Sequence, residues 1–269
     1  MNPVFVIGHR NPDTDSICSA ICYAELKHRL TGEPYIPCRA GHVNTETKFV
    51  LERFGVKAPR YIKSFEPCLC DVQYRRIPGI DEEMSLHRAW NYMNENDIQT
   101  LAVVDEDRHL KGLLTLSDIA RFYMEDKDAN ALAEAGTSYR NLVDVLDGTL
   151  IVGDIEKRFE QGSVVVAAAN PDVLEDYIGP RDMVILGNRY ESQLCAIEME
   201  ADCIIVCEGA GVSMTIKKLA QERGCTVITT PYDTYTAARL INQSMPISYF
   251  MKTEKLITFD TDDFIDDIK

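Results

Sequence analysis

The apolar positions change character along the chain. Val4-Phe5-Val6-Ile7 is a continuous β-rich run, the pattern of a strand buried on both faces. Gly8 lets the backbone leave the sheet, and Asn11-Pro12-Asp13 is a turn signal. From Ser16 the spacing becomes helical. Ile17, Ala20, Ile21 and Ala24 recur on one face, and Asp15 or Ser16 is the expected N-cap. Residues 34–38 predict a second strand. Residues 47–54 predict a second helix, capped by Asn44 or Thr45 and stopped by Gly55. Two β-α units cannot cover both faces of a parallel sheet, so residues 1–64 call for more chain to complete them.

Residues 65–125 read differently. A helix over 85–93 carries Leu86, Ala89, Trp90 and Met93 as its apolar stripe, which places Trp90 in the core. A strand over 100–104, a turn over 105–108 and a return strand over 110–114 predict a hairpin. Thr115-Leu-Ser-Asp118 then opens a helix. Residues 126–245 alternate strand and helix. The strand candidates are 149–152, 163–166, 183–186, 202–206 and 225–229, with helical patterns over 212–223 and 234–243 and glycines at the joints. This predicts an α/β domain with a largely parallel sheet. Asp182 and Asp202 read as solvent-facing strand starts. Residues 246–269 lead into a helix from Asp260, with Phe264, Ile265 and Ile268 apolar and five aspartates on its solvated side.

Composition narrows the function classes. A chain of 269 residues has room for about two domains. Its 45% hydrophobic and 26% charged residues are ordinary for a soluble globular protein. No apolar stretch approaches the ~20 residues that span a bilayer, and residues 1–8 lack the basic start and long apolar core of a signal peptide. A cytoplasmic protein with no membrane partner is therefore expected. The net charge of −15 argues against nucleic acid as a partner and suits a protein that handles small anions through a bound cation. Cys18 and Cys22 on the first helix, and Cys203 and Cys207 around a strand, read as buried thiols in a reducing compartment. Cys68-Leu-Cys70 has a spacing too tight for a usual zinc knuckle, and no partner pair follows.

The chemistry concentrates in Gly8-His-Arg-Asn-Pro-Asp-Thr-Asp-Ser16. An imidazole (His9) and two carboxylates (Asp13, Asp15) stand at the carboxyl end of the first strand, where open α/β sheets place their ligands. They are a ligand set for Mn2+, Mg2+ or Co2+, beside a helix N-terminus whose N–H groups can receive a phosphate oxygen. The alternative is a polar loop whose aspartates only cap the helix. Cys207-Glu-Gly-Ala-Gly-Val-Ser213 could cradle phosphate, but tight turn geometry accounts for its glycines better.

Gly8-His-Arg-Asn-Pro-Asp-Thr-Asp-Ser-Ile-Cys-Ser-Ala20 resembles the opening of the DHH phosphoesterase superfamily, and specifically of family II manganese-dependent inorganic pyrophosphatases. The likeness continues through Pro37-Cys-Arg-Ala-Gly41 and Asn44-Thr-Glu-Thr47. Later segments resemble the subgroup with a regulatory insertion in which two CBS motifs flank a DRTGG domain. Helix, hairpin and Gly112-Leu-Leu-Thr-Leu-Ser-Asp118 look like one CBS motif, and residues 126–245 like the DRTGG domain. The resemblance covers nearly the whole chain. It implies an α/β fold with four parts: the N-terminal part of a DHH domain (1–64), a first CBS motif (65–125), a DRTGG-like domain (126–245) and the start of a second CBS motif (246–269).

The resemblance further implies that His9, Asp13 and Asp15 are metal ligands. It implies that Thr115 and Asp118 contact the phosphate and ribose of an adenine nucleotide, although Ser117 and Asp118 could equally serve as helix caps. Pyrophosphate is the implied substrate, Mn2+ (or Co2+, Mg2+) the cofactor, and a homodimer the implied assembly, since CBS motifs work in pairs. The sequence departs from the family in one respect: it has no Asp-His-His stretch, and His28, His42, His87 and His109 lack an acidic ligand context. By that comparison it is the N-terminal part of a longer enzyme or a shortened product. Hydrolysis with two ions about 3.5–4 Å apart needs more than three ligands, so little activity is expected of these residues alone. Two other functions fit less of the sequence: a DHH-type phosphoesterase acting on oligonucleotides or cyclic dinucleotides, and a non-enzymatic adenine-nucleotide sensor.

Overall fold

The computed structural model describes residues 3–63, 67–124 and 129–268. The expected domain boundaries at 64/65 and 125/126, and Lys269, lie outside the described residues. Contacts divide the chain into two units, residues 1–74 with 258–269 and residues 75–257.

In the first unit, strands Val4–Ile7, Tyr35–Arg39 and Arg60–Tyr61 form a parallel sheet in that order, with Val4 opposite Tyr35 and Cys38 opposite Arg60. Helix Thr14–Thr31 starts earlier than its apolar stripe. Asp13, extended behind Pro12, is the N-cap and accepts the Ser16 N–H, so Asp15 lies inside the first turn. Gly32 at φ 74° ends it by returning its N–H to His28. Helix Thr45–Phe54 is capped by Asn44 and stopped by Gly55, as its sequence predicts. The core of this unit is thin: Ile17, Ala20, Ala24, Cys38 and Leu51 are buried, while Val4, Phe5, Phe49 and Phe54 remain exposed. The first strand is thus not buried on both faces here.

The second unit carries the main core. Helix Leu86–Glu95, capped by Ser85, packs over a sheet of Ile80–Asp81, Thr100–Val104 and Leu110–Thr115, the last two a hairpin. Leu86, Ala89, Met93, Leu101, Val103 and Leu114 fill the space between. Ile247 joins this cluster, because the chain returns at Pro246 and Lys252 to bridge Ser85 and Leu113. Trp90 is not in the core. It is 43% exposed, one residue past Ala89 and therefore about 100° around the helix from it.

A five-stranded sheet follows the expected strands closely. Val164–Val166, Met183–Leu186, Cys203–Val206 and Thr226–Thr229 run parallel, and Thr149–Val152 joins the far edge antiparallel. The middle strands are buried throughout, which is why they read as unbroken apolar runs. Helices Tyr139–Val145, Tyr190–Glu198, Met214–Arg223 and Thr234–Leu240 cover it. The aspartates at its strand starts are not solvent-facing. Asp182 is buried and accepts the N–H groups of Ser163 and Gly179. Asp202 accepts the Tyr139 hydroxyl at 2.6 Å and pairs with Lys157 at 2.7 Å. Among the cysteines, Cys38, Cys203, Cys207 and Cys225 are buried, but Cys22 is exposed.

Candidate functional site

His9 and Asp13 meet at the carboxyl end of the first strand, where Gly8 releases the chain toward the helix. His9 Nε2 stands 3.4 Å from Asp13 Oδ1, and both side chains are exposed. The Ser16 N–H, and then His9, hold the Asp13 carboxyl below the ordinary range, so it is ionised at neutral pH. Asp15 points along the first turn and accepts a long bond, 3.4 Å, from the Ser19 hydroxyl. Among the described residues, only Cys68, Cys70 and Asp71 bring three ligand atoms within 4.8 Å of one another. His9 and Asp13 are therefore brought together and Asp15 is not drawn in with them.

The loop's donor types suit a divalent cation, although only His9 and Asp13 stand together. One imidazole nitrogen and two carboxylates are donors that Mn2+ and Co2+ accept. Beneath them the Ser16 hydroxyl is buried without a hydrogen-bond partner, and a Cβ on Gly8 would stand 1.9 Å from it. Glycine is required there by this close approach, not by its dihedrals. Asp13 caps the helix, and the oxygen that does so also faces His9.

Thr115 and Asp118 also meet, as a reciprocal cap at the start of helix Leu116–Met124. The Thr115 N–H donates to Asp118 Oδ2 at 3.0 Å, the Thr115 hydroxyl donates to the same oxygen, and the Asp118 N–H donates to Thr115 Oγ1 at 3.3 Å. Asp118 is only 6% exposed. Lys252 brings its ammonium to 2.9 Å from Asp118 Oδ1. Burial raises the Asp118 carboxyl, but the bonds from Thr115 and Lys252 outweigh it and hold it below the ordinary range. Lys252 lies far along the chain from Asp118, and no local pattern announces it.

A cleft of about 440 Å³ opens beside the same helix, lined by His87, Trp90, Asn91, Tyr123 and Gln243 among apolar neighbours. His87 bridges it, with Nδ1 2.8 Å from Gln243 Oε1 and Nε2 3.0 Å from Asn91 Nδ2. With Gln243 Oε1 accepting from Nδ1–H, Nε2 is placed to accept from the Asn91 amide. The helical spacing of residues 85–93 pointed Trp90 inward and so gave no sign of this cleft. The Cys207–Ser213 loop holds Glu208 and Gly209 at φ 63° and 62° and ends in the Ser213 N-cap, as a tight turn does. No helix among the described residues is long and apolar enough to cross a membrane.

The family model for the CBS domain matches residues 70–125, and that for the DRTGG domain matches residues 141–244. A cobalt-dependent inorganic pyrophosphatase of Clostridium perfringens is 39% identical over 266 residues, covering 99% of this chain and 48% of that protein. A probable manganese-dependent inorganic pyrophosphatase of Thermotoga maritima is 32% identical over 267 residues, with the same coverage. The chain thus spans about half the length of these curated relatives. A crystal structure of the CBS and DRTGG domains of the regulatory region of Clostridium perfringens pyrophosphatase, complexed with its activator diadenosine tetraphosphate, is also similar. It is 37% identical with a TM-score of 0.72, and the match covers 76% of this chain and 88% of that one.

Proposed function

Because the chain belongs to the family II inorganic pyrophosphatases with CBS and DRTGG regulatory domains, we propose that it carries the first metal ligands and the nucleotide-responsive region of such an enzyme. Residues 1–64 are read as the N-terminal part of the DHH domain, 65–125 as the first CBS motif, 126–245 as the DRTGG-like domain and 246–269 as the start of a second CBS motif. The observation that carries the catalytic half is the His9–Asp13 pair, 3.4 Å apart at the carboxyl end of the first strand.

In this reading His9, Asp13 and Asp15 hold divalent Mn2+ or Co2+. When bound, the cation supplies positive charge to pyrophosphate oxygens and lowers the proton affinity of water. The chain's own contribution is orientation. The strand fixes His9, the N-cap bond fixes one oxygen of Asp13 and keeps it ionised, and the N-terminus of the helix favours an anion above it. Three ligands do not hold two ions, so residues 1–269 taken alone are expected to release little phosphate from pyrophosphate. A phosphate-release assay with cobalt or manganese tests this. Turnover comparable to that of a full-length family member would overturn it.

The regulatory half rests on Thr115, Asp118 and Lys252. A hydroxyl at a helix start, a carboxylate and an ammonium are the groups that meet phosphate and ribose. Adenine nucleotides, diadenosine tetraphosphate included, are the effectors, and a homodimer supplies paired motifs. Calorimetry with AMP, ADP, ATP and diadenosine tetraphosphate is expected to give saturable heat that Lys252→Ala reduces. Absence of heat, and of any thermal shift at millimolar nucleotide, would count against it.

A further inference from the structure

Cys68 caps, and Cys70 and Asp71 lie in, the 3₁₀ turn Leu69–Asp71, away from the His9 loop in sequence and different in chemistry. Their two sulfurs and one carboxylate oxygen lie within 4.8 Å of one another. We propose that this turn is a binding site for a thiophilic divalent cation of the zinc class, with Cys68 Sγ, Cys70 Sγ and the Asp71 carboxylate as ligands.

The geometry is that of a nearly assembled site. Metal–sulfur bonds of ~2.3 Å in a tetrahedral arrangement put ligand sulfurs about 3.8 Å apart, within the spacing found. The 3₁₀ turn brings positions 68, 70 and 71 to one side, so a pair too closely spaced for a zinc knuckle is completed by the next residue and not by a second cysteine pair. The Asp71 carboxylate already accepts from Cys68, with the N–H at 3.1 Å and the thiol at 3.2 Å. That orients the carboxylate toward the sulfurs before any cation arrives. Binding exchanges protons for metal: M2+ joins two thiols and one carboxylate, two S–metal bonds form, and two protons leave to water. The thiols are soft donors, which select zinc-class ions over the Mn2+ suited to the oxygen-rich His9 loop.

The turn sits where two distant stretches of chain run side by side. The Leu69 N–H donates to Asp263 O at 3.1 Å, the Cys70 N–H to Thr261 O at 2.8 Å, and the Ile265 N–H to Pro67 O at 2.9 Å. Cys68 and Phe264 form a β-bridge. Asp262 lies on the returning stretch, near enough for its charge to bear on Cys70 and so to attract a cation. A cation in the turn would sit beside the backbone hydrogen bonds that join residues 67–70 to residues 261–265.

Cobalt titration of the reduced full chain tests the site. The expected result is a saturable near-ultraviolet sulfur-to-cobalt charge-transfer band. It is abolished in Cys68→Ser/Cys70→Ser, retained in Cys18→Ser/Cys22→Ser, and shifted to at least about tenfold higher cobalt in Asp71→Asn. The wild-type chain gives a second readout that needs no variant: zinc should protect Cys68 and Cys70, but not the exposed Cys22, from alkylation mapped by mass spectrometry. No band at saturating cobalt, a band that survives the double variant, or equal alkylation with and without zinc would overturn the proposal. Cobalt at His9 and Asp13 has no sulfur ligand and gives no such band, so this outcome is independent of the catalytic reading.

Discussion

Lys252 places its ammonium 2.9 Å from a carboxylate oxygen of Asp118, a side chain that is almost wholly buried and capped by Thr115. The pair ties the returning segment to the first turn of helix Leu116–Met124, next to the Leu113–Lys252 bridge. Its carboxyl is held below the ordinary range, so the stability it gives is present above the unfolded value near pH 4 and is lost as pH falls through the folded value. Asp118→Asn is expected to cost about 1–3 kcal/mol at pH 7. Lys252→Met should cost less, roughly 1 kcal/mol or below, because the lysine is half exposed. Denaturant titrations at pH 7 and pH 3 check this. The Asp118→Asn deficit must shrink at the lower pH.

Tyr139 is fully buried, and its hydroxyl donates to Asp202 at 2.6 Å. Burial first, with Cys203 and Asp202 adding to it, pushes its phenol well above the ordinary tyrosine range, so it is neutral at any working pH. Tyr139→Phe removes the donor and leaves Lys157 as the partner of Asp202. The expected loss is about 1–2 kcal/mol, seen as a melting temperature lower by roughly 2–4 °C per kcal/mol. An unchanged melting temperature would contradict the bond.

Gly8 and Ser16 are matched by space. A methyl group at position 8 would collide with the Ser16 hydroxyl, so Gly8→Ala should cost about 1–3 kcal/mol. Ser16→Ala removes a buried hydroxyl with no partner, and should leave stability unchanged or raise it by up to ~1 kcal/mol. The double variant should recover part of the Gly8→Ala loss, which thermal denaturation of all three proteins reads directly.

Trp90 is the chain's one tryptophan and lines the cleft beside His87 and Tyr123. Its fluorescence therefore reports that cleft alone. Acrylamide is expected to quench it in the native protein, and His87→Ala, which releases Gln243 and Asn91, should change the emission without unfolding. A blue-shifted, unquenchable signal would place the ring in the core.

Much of the fold was legible in local patterns. Val184 and Ile204 lie in strands buried on both faces, so their runs are unbroken; Asn44 and Gly55 announce a helix's two ends. What escaped depended on distance or on angle. Asp13, itself extended, caps the first helix by accepting the Ser16 N–H, three residues ahead of the Ser16 start that the apolar stripe marks. Trp90 shares the spacing of a core residue but sits at the edge of the stripe. Asp202 looks like a solvated strand end until Tyr139 and Lys157 arrive from elsewhere. The His9 and Asp13 pairing was readable from one loop, while Lys252 beside Asp118 needed the whole chain to fold.

Manganese binding decides whether the His9 loop is a divalent metal site. Free Mn2+ is followed by its electron paramagnetic resonance signal during titration of the full chain. Saturable binding is expected, and Asp13→Asn and Asp15→Asn should each weaken it by about tenfold or more. Asparagine still caps a helix, so the Asp13 variant keeps its fold. No manganese binding by the wild-type chain, or identical binding by the wild type and a His9→Ala/Asp13→Asn/Asp15→Asn variant, would contradict it.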